Sequence, residues 1–151
     1  MLRDNINGGN HVTTGRQVPF CLLTDPEFAR VGMSEKEASA QGIACRLFKI
    51  PMEAVLRART LSETRGCLKG LVAVDGDRIL GFTAFGVGGG EIMSSVQIAM
   101  IAGLPYTALL DAVLAHPTLV EGLLTRLAST GLGTPDFSRS AATEPHYCGS
   151  G

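Results

Sequence analysis

Residues 66–86 read GCLKGLVAVDGDRILGFTAFG. Two apolar runs, CLKGLVAV and RILGFTAFGV, flank Asp75-Gly76-Asp77. Asp-Gly between two such runs is a strong short-range hairpin signal, because the tight turn needs residues that tolerate positive φ. The stretch therefore predicts two antiparallel strands at the centre of the chain, and the rest of the fold is read outward from it.

Upstream, VPFCLLTD (residues 18–25) has an apolar centre and stops at Asp25-Pro26, as a strand entering a turn does. FARVGM is a second short strand. Ser34 with Glu37 three residues on forms a capping-box pattern, so a helix starts there, and Gly42 ends it. IACRLFKIP is a further strand, closed by Pro51. Residues 52–66 suit a helix at their start, but Thr60, Ser62, Thr64 and Gly66 argue for an irregular excursion. Downstream, helices are expected over residues 91–102, 106–114 and 117–129. Strands with one inserted helix, then a hairpin, then a helical cluster define an α+β class. A mostly antiparallel sheet carries helices packed on one face.

At 151 residues the chain fits one domain with a real core. Apolar residues make up 45%, aromatics 5%, and there is no Trp. Net charge is −1 and the pI about 6.3, with no basic patch, so no nucleic acid is expected as a partner. Residues 1–16, rich in Asn, Gly and Thr, read as a linker or arm. Residues 131–151, rich in Gly, Ser, Thr and Pro, read as a disordered tail. No signal-peptide h-region precedes the fold. The uncharged interval between Glu91 and Asp111 is long enough to span a bilayer, but it contains Ser94, Ser95, Gln97, Gly103, Pro105 and Thr107. Two short buried helices and no membrane span are expected. Cys21, Cys45, Cys67 and Cys148 show no CxxC or zinc spacing, so free thiols in a reducing cytoplasm are expected and no metal site.

The helix beginning near Glu91 is apolar on nearly every side, through Ile92, Met93, Val96, Ile98, Ala99, Met100 and Ile101. Such a helix must be covered all round. A second subunit is one natural cover; a deeply central position is the other. GVGGGE (residues 86–91) follows a strand and opens a helix as a dinucleotide fingerprint does, but Glu91 stands where the third glycine belongs, and a carboxylate there repels a pyrophosphate. The scattered arginines of VLRARTLSETRG read as a solvated, charged loop.

His116 is the sharpest candidate site. Pro117 suits the first turn of a helix, which places His116 at the junction. Glu121 lies within reach of one ring nitrogen. A histidine oriented by a carboxylate is a standard proton-transfer pair. Spacing alone also fits a purely structural pair, which is the commoner case.

VPFCLLTDPEFARVGMSEKEA, GCLKGLVAVDGDRILGFTAFG and AHPTLVEGL, in this order and spacing, resemble the C-terminal dimerisation domain of the class I pyridine nucleotide-disulfide oxidoreductases, the family of glutathione reductase, dihydrolipoamide dehydrogenase and mercuric reductase. The resemblance implies that residues 17–130 form the dimerisation domain and that His116 and Glu121 are the acid/base pair of thiol–disulfide exchange, reaching into the partner subunit's active site. It implies a cis peptide bond before Pro117. It also implies a homodimer, with a separate flavin- and nicotinamide-domain chain as a further candidate partner. FAD and NAD(P)H belong to a complete member. No cofactor is expected to bind this chain alone, since the flavin and nicotinamide domains and the redox cysteine pair lie N-terminal to this region in the family. Such a chain is not expected to be active by itself. A free-standing dimerisation module that has lost the enzymatic role is the alternative. Some mercuric reductase-like enzymes carry a C-terminal cysteine pair; here Cys148 stands alone, and its role is open.

Overall fold

The computed structural model describes residues 17–124, together with Ile6 and Gly8. The expected arm and tail fall outside the described residues, those two positions excepted. Five strands, β1 (Phe20–Leu22), β2 (Phe28–Gly32), β3 (Cys45–Pro51), β4 (Cys67–Ala73) and β5 (Ile79–Phe85), form one antiparallel sheet in the order β1-β2-β5-β4-β3. The expected hairpin is β4–β5, and it lies inside the sheet between β2 and β3. Its central position explains the near-continuous apolar runs of both strands.

The hairpin is not regular. Leu71 pairs with Gly81 but Val72 pairs with Ile79, which leaves Leu80 as an extra residue on β5. A bulge of one residue switches every side chain beyond it to the other face. Ile79, Phe82 and Ala84 accordingly join the main core, while Leu80 joins a second, smaller cluster with Leu71, Ala73 and Ala38 on the opposite face.

That second cluster is covered by α1 (Glu35–Ala40), whose Ala38 is its contribution. The helix starts as the sequence indicates. Glu37 N–H donates to Ser34 Oγ at 3.2 Å, and Ser34 N–H donates to Glu37 Oε2 at 2.7 Å. Arg30 from β2 pairs with the same carboxylate oxygen. These donors, first the Ser34 backbone N–H, hold the Glu37 carboxyl below its ordinary value. Replacing Ser34 with alanine is expected to cost about 1 kcal/mol, the usual worth of such a cap, measured as the shift in urea unfolding free energy.

The main core lies on the other sheet face, under α3 (Gly89–Ile101), and includes Ile50, Leu68, Phe82, Ile92 and Val96. Residues 52–66 resolve into a 3₁₀ turn, η1 (Met52–Ala54), and a one-turn helix, α2 (Leu56–Thr60). Met52, Val55 and Ala58 are all fully buried, and their spacing of three matches the 3₁₀ period.

Three expected helix bounds are corrected. α3 begins at Gly89, two residues before Glu91, because Gly88 takes the left-handed N-cap conformation (φ 65°). The next helix, α4 (Tyr106–Leu110), stops well short of residue 114. The chain is drawn out ahead of Pro117, which disfavours helical backbone at His116, and Val113 is left fully exposed. In place of a helix from 117, the chain forms a 3₁₀ turn, η2 (Val120–Leu123). Leu119 is its N-cap, so Pro117 precedes the turn instead of opening it. The expected residues 125–129 of that helix lie outside the described residues.

α3 buries Ile92, Met93, Val96 and Ala99 but leaves Ile98 and Ile101 68% and 70% exposed. One side of the apolar helix is thus uncovered within a single chain. Cys21 and Cys45 are free thiols. Burial, and next the Glu35 carboxylate, push the Cys45 thiol up. Cys67 is disulfide-bonded, which corrects the expectation of a free thiol there; no local spacing marks that bond. Among the described residues no helix is long and apolar enough to cross a membrane.

Candidate functional site

The segment carrying His116 is seated by close packing. Leu119 lies over Gly88, where a Cβ would stand 2.5 Å from Leu119 Cδ1. Gly122 sits against Val55, where a Cβ would stand 2.6 Å from Cγ2. Leu123 is 2% exposed in the main core. These contacts hold η2 and its N-cap Leu119 against Val55, the residue before α2, and Gly88, the N-cap of α3, and so hold Glu121 in place.

Glu121 meets His116 as spacing suggested. His116 Nδ1 is 2.7 Å from Glu121 Oε1 and 3.0 Å from Oε2. An ionised carboxylate only accepts, so Nδ1 carries the hydrogen. In the neutral ring that leaves Nε2 as an unprotonated acceptor. No described residue hydrogen-bonds Nε2, and the His116 side chain is 63% exposed, so Nε2 faces outward. The bond before Pro117 is cis, as the family resemblance implied, and so is the bond before Pro26.

A second pair of contacts ties Glu121 to Thr118. Glu121 N–H donates to Thr118 Oγ1 at 3.3 Å, and Thr118 N–H donates to Glu121 Oε2 at 3.4 Å. These two bonds have the reciprocal form of a capping box, as in Ser34–Glu37, set one residue ahead of the turn's N-cap Leu119. Their sequence signal is Thr118-x-x-Glu121.

The Glu121 carboxyl is held below its ordinary value of 4.5 by the His116 hydrogen bond first, with the Thr118 N–H and the His116 charge adding to it against desolvation. A carboxyl depressed in the folded state contributes stability above its unfolded value and loses it as pH falls through the folded one. Glu37 behaves the same way. Unfolding free energy is therefore expected to hold level as pH falls toward about 5 and to decline progressively below about 4.5, as far as these two groups determine it. The double variant Glu37→Gln, Glu121→Gln should flatten that decline in urea titrations.

The glycine-rich turn before α3 presents no open anion cradle. Gly90 N–H already donates to Glu27 Oε2 at 3.0 Å. Three arginines are engaged in surface contacts: Arg65 with Asp25 at 2.8 Å, Arg46 with Asp77 at 3.2 Å and Gly76 O at 2.7 Å, and Arg57 with Thr60 Oγ1 at 3.3 Å. Among the described residues no cluster of three metal-ligating side chains occurs.

A carboxylate-held histidine thus lies on a core-seated segment of an α+β fold. Residues 18–127 match the family model described as pyridine nucleotide-disulphide oxidoreductase, dimerisation domain. The chain belongs to this family, and its described fold is that of the dimerisation domain. It is 36% identical over 125 residues to a probable pyridine nucleotide-disulfide oxidoreductase, RclA, of Escherichia coli K12, covering 82% of this chain and 28% of that protein. It is 36% identical over 117 residues to the mitochondrial dihydrolipoyl dehydrogenase of Dictyostelium discoideum, covering 78% and 24% respectively. The solved structure of RclA, described as an HOCl-induced flavoprotein disulfide reductase, superposes with a TM-score of 0.76 over 81% of this chain and 28% of its own. LpdA of Mycobacterium tuberculosis, at 18% identity, shares the fold with a TM-score of 0.74 over 85% of this chain and 28% of its own. The chain thus spans about a quarter of the length of the curated relatives it matches.

Proposed function

We propose that this chain serves as the self-associating domain of a flavin-dependent disulfide oxidoreductase and supplies His116, oriented by Glu121, as acid/base to a thiol–disulfide exchange centre on the partner subunit. The observation that carries this is the two-oxygen grip of Glu121 on His116 Nδ1, on a side chain that is 63% exposed, which in the neutral ring leaves Nε2 as the acceptor.

Exchange proceeds by attack of a thiolate on a disulfide sulfur. Nε2 accepts the proton of the attacking S–H. The thiolate electron pair forms the new S–S bond as the old one breaks, and its pair leaves on the departing sulfur. The imidazolium returns the proton to that thiolate. Glu121 stabilises the imidazolium between the two transfers and keeps the ring from turning. FAD and NAD(P)H would supply the reducing electrons in a complete enzyme. The described residues form no cradle for either, since a carboxylate closes the glycine-rich turn, so no step is routed through them. A cytoplasmic setting is part of this proposal; the free thiols of Cys21 and Cys45 support it and the bonded Cys67 weighs against it.

The test is a chimera of E. coli RclA in which residues 18–127 of this chain replace the matching segment. A flavin-containing dimer that reduces disulfides with NAD(P)H supports the proposal. A flavin-containing dimer without that activity overturns the acid/base role and leaves an association module.

A further inference from the structure

The carboxylate that holds His116 is itself held, and by a residue that does not touch the ring. Glu121 Oε2 accepts from Thr118 N–H while lying 3.0 Å from His116 Nδ1, and Glu121 N–H is tied to Thr118 Oγ1. A free glutamate side chain samples many rotamers and loses that freedom when it binds. In this turn part of that freedom is already removed: Thr118 Oγ1 holds the Glu121 backbone through its N–H at 3.3 Å, which brings one carboxylate oxygen to 3.4 Å from Thr118 N. The other oxygen, Oε1, is left to make the shorter contact to Nδ1, at 2.7 Å.

The fold uses this device twice. In the Ser34–Glu37 box the glutamate oxygen is pinned by Ser34 N–H and the same carboxylate takes the Arg30 guanidinium as its cationic partner. In the Thr118–Glu121 box the partner is His116. In both, a capping box converts a mobile surface carboxylate into a fixed acceptor.

We propose that Thr118 is a positioning residue for His116: through the capping box it sets the Glu121 carboxylate so that His116 carries its hydrogen on Nδ1 and offers Nε2 as the base. This rests on the acid/base reading of His116 given above. Thr118 has no contact with Nε2 and takes no part in the proton transfer itself.

The test reads the tautomer directly. The full chain is labelled with ¹⁵N, and the imidazole nitrogens are recorded by long-range ¹H–¹⁵N correlation at a pH where the ring is neutral. His116 is distinguished from His11 and His146 by the loss of its signals in His116→Ala. The wild type should show the Nδ1–H form in excess. Thr118→Val, close in shape but without the hydroxyl, should reduce the ratio of Nδ1–H to Nε2–H about fivefold, the equivalent of one net hydrogen bond. Thr118→Ala should do the same should the valine perturb the turn. Thr118→Ser should keep the wild-type ratio. A cap with a purely structural role would lower the unfolding midpoint in Thr118→Val and leave the tautomer ratio where it was.

The outcomes separate the two proposals. A ratio that shifts in Glu121→Ala but not in Thr118→Val or Thr118→Ala overturns the role of Thr118 and leaves His116 as acid/base. A wild-type ring carrying its hydrogen on Nε2 overturns both, because the outward nitrogen would then be a donor.

Discussion

Replacing His116 with alanine in the RclA chimera is expected to lower disulfide reduction by about 10²–10⁴-fold, the span typical of removing a general acid/base. Self-association should be unchanged in the same samples, as read by light scattering. The two effects separate because of where His116 sits. Its side chain is 63% exposed, and its hydrogen-bond partner among the described residues is Glu121, so the core loses nothing when the ring is removed. Glu121→Gln should fall between the wild type and His116→Ala. It leaves the ring in place but removes the charge that stabilises the imidazolium. Activity within threefold of wild type in His116→Ala would mean that another group moves the proton.

The second large effect is in the core beneath the site. Leu123→Ala is expected to cost about 2–5 kcal/mol of unfolding free energy in urea, toward the upper end. Leu123 is 2% exposed and already borders a void of about 10 Å³ lined by Phe48, Ile79, Phe82, Val96, Tyr106 and Leu109. Shortening it enlarges a space that the surrounding strands and α3 cannot easily collapse into. Leu123→Met, which conserves volume, should cost under about 1.5 kcal/mol. The site should fail with the core, since Leu123 is two residues past Glu121. Loss of less than 1 kcal/mol in Leu123→Ala would show that η2 is not anchored through this side chain.

The parts of this fold that could be read from the sequence are those governed by local chemistry. Asp75-Gly76 marked the β4–β5 hairpin, Ser34-x-x-Glu37 marked the start of α1, and the five-residue interval from His116 to Glu121 put their side chains within reach. What escaped depends on non-local packing or on a less familiar period. Met52, Val55 and Ala58 repeat every three residues without the i+4 partners that complete a helical face. The length of α4 and the start of η2 are decided by Pro117 and Thr118 together, and a proline before a short turn looks from sequence like a proline opening a helix. The bond at Cys67 has no spacing signature. What the spacing could show was the contact between His116 and Glu121; the acid/base reading of that pair comes from the family resemblance, and the residues alone favour a structural pair.

The extra residue at Leu80 has a consequence for how this protein tolerates change. Along an unbroken strand, sensitivity to substitution alternates, one position guarded and the next permissive. At Ile79 and Leu80 two adjacent residues point into two separate interiors, 7% and 6% exposed. Both are therefore closed to polar replacement. Loss of Leu80 would leave the Leu71–Gly81 and Val72–Ile79 pairs in place but empty a position in the smaller interior. A lineage can drift at Thr83 or Arg78, but it cannot delete a residue here without rebuilding one of its two interiors.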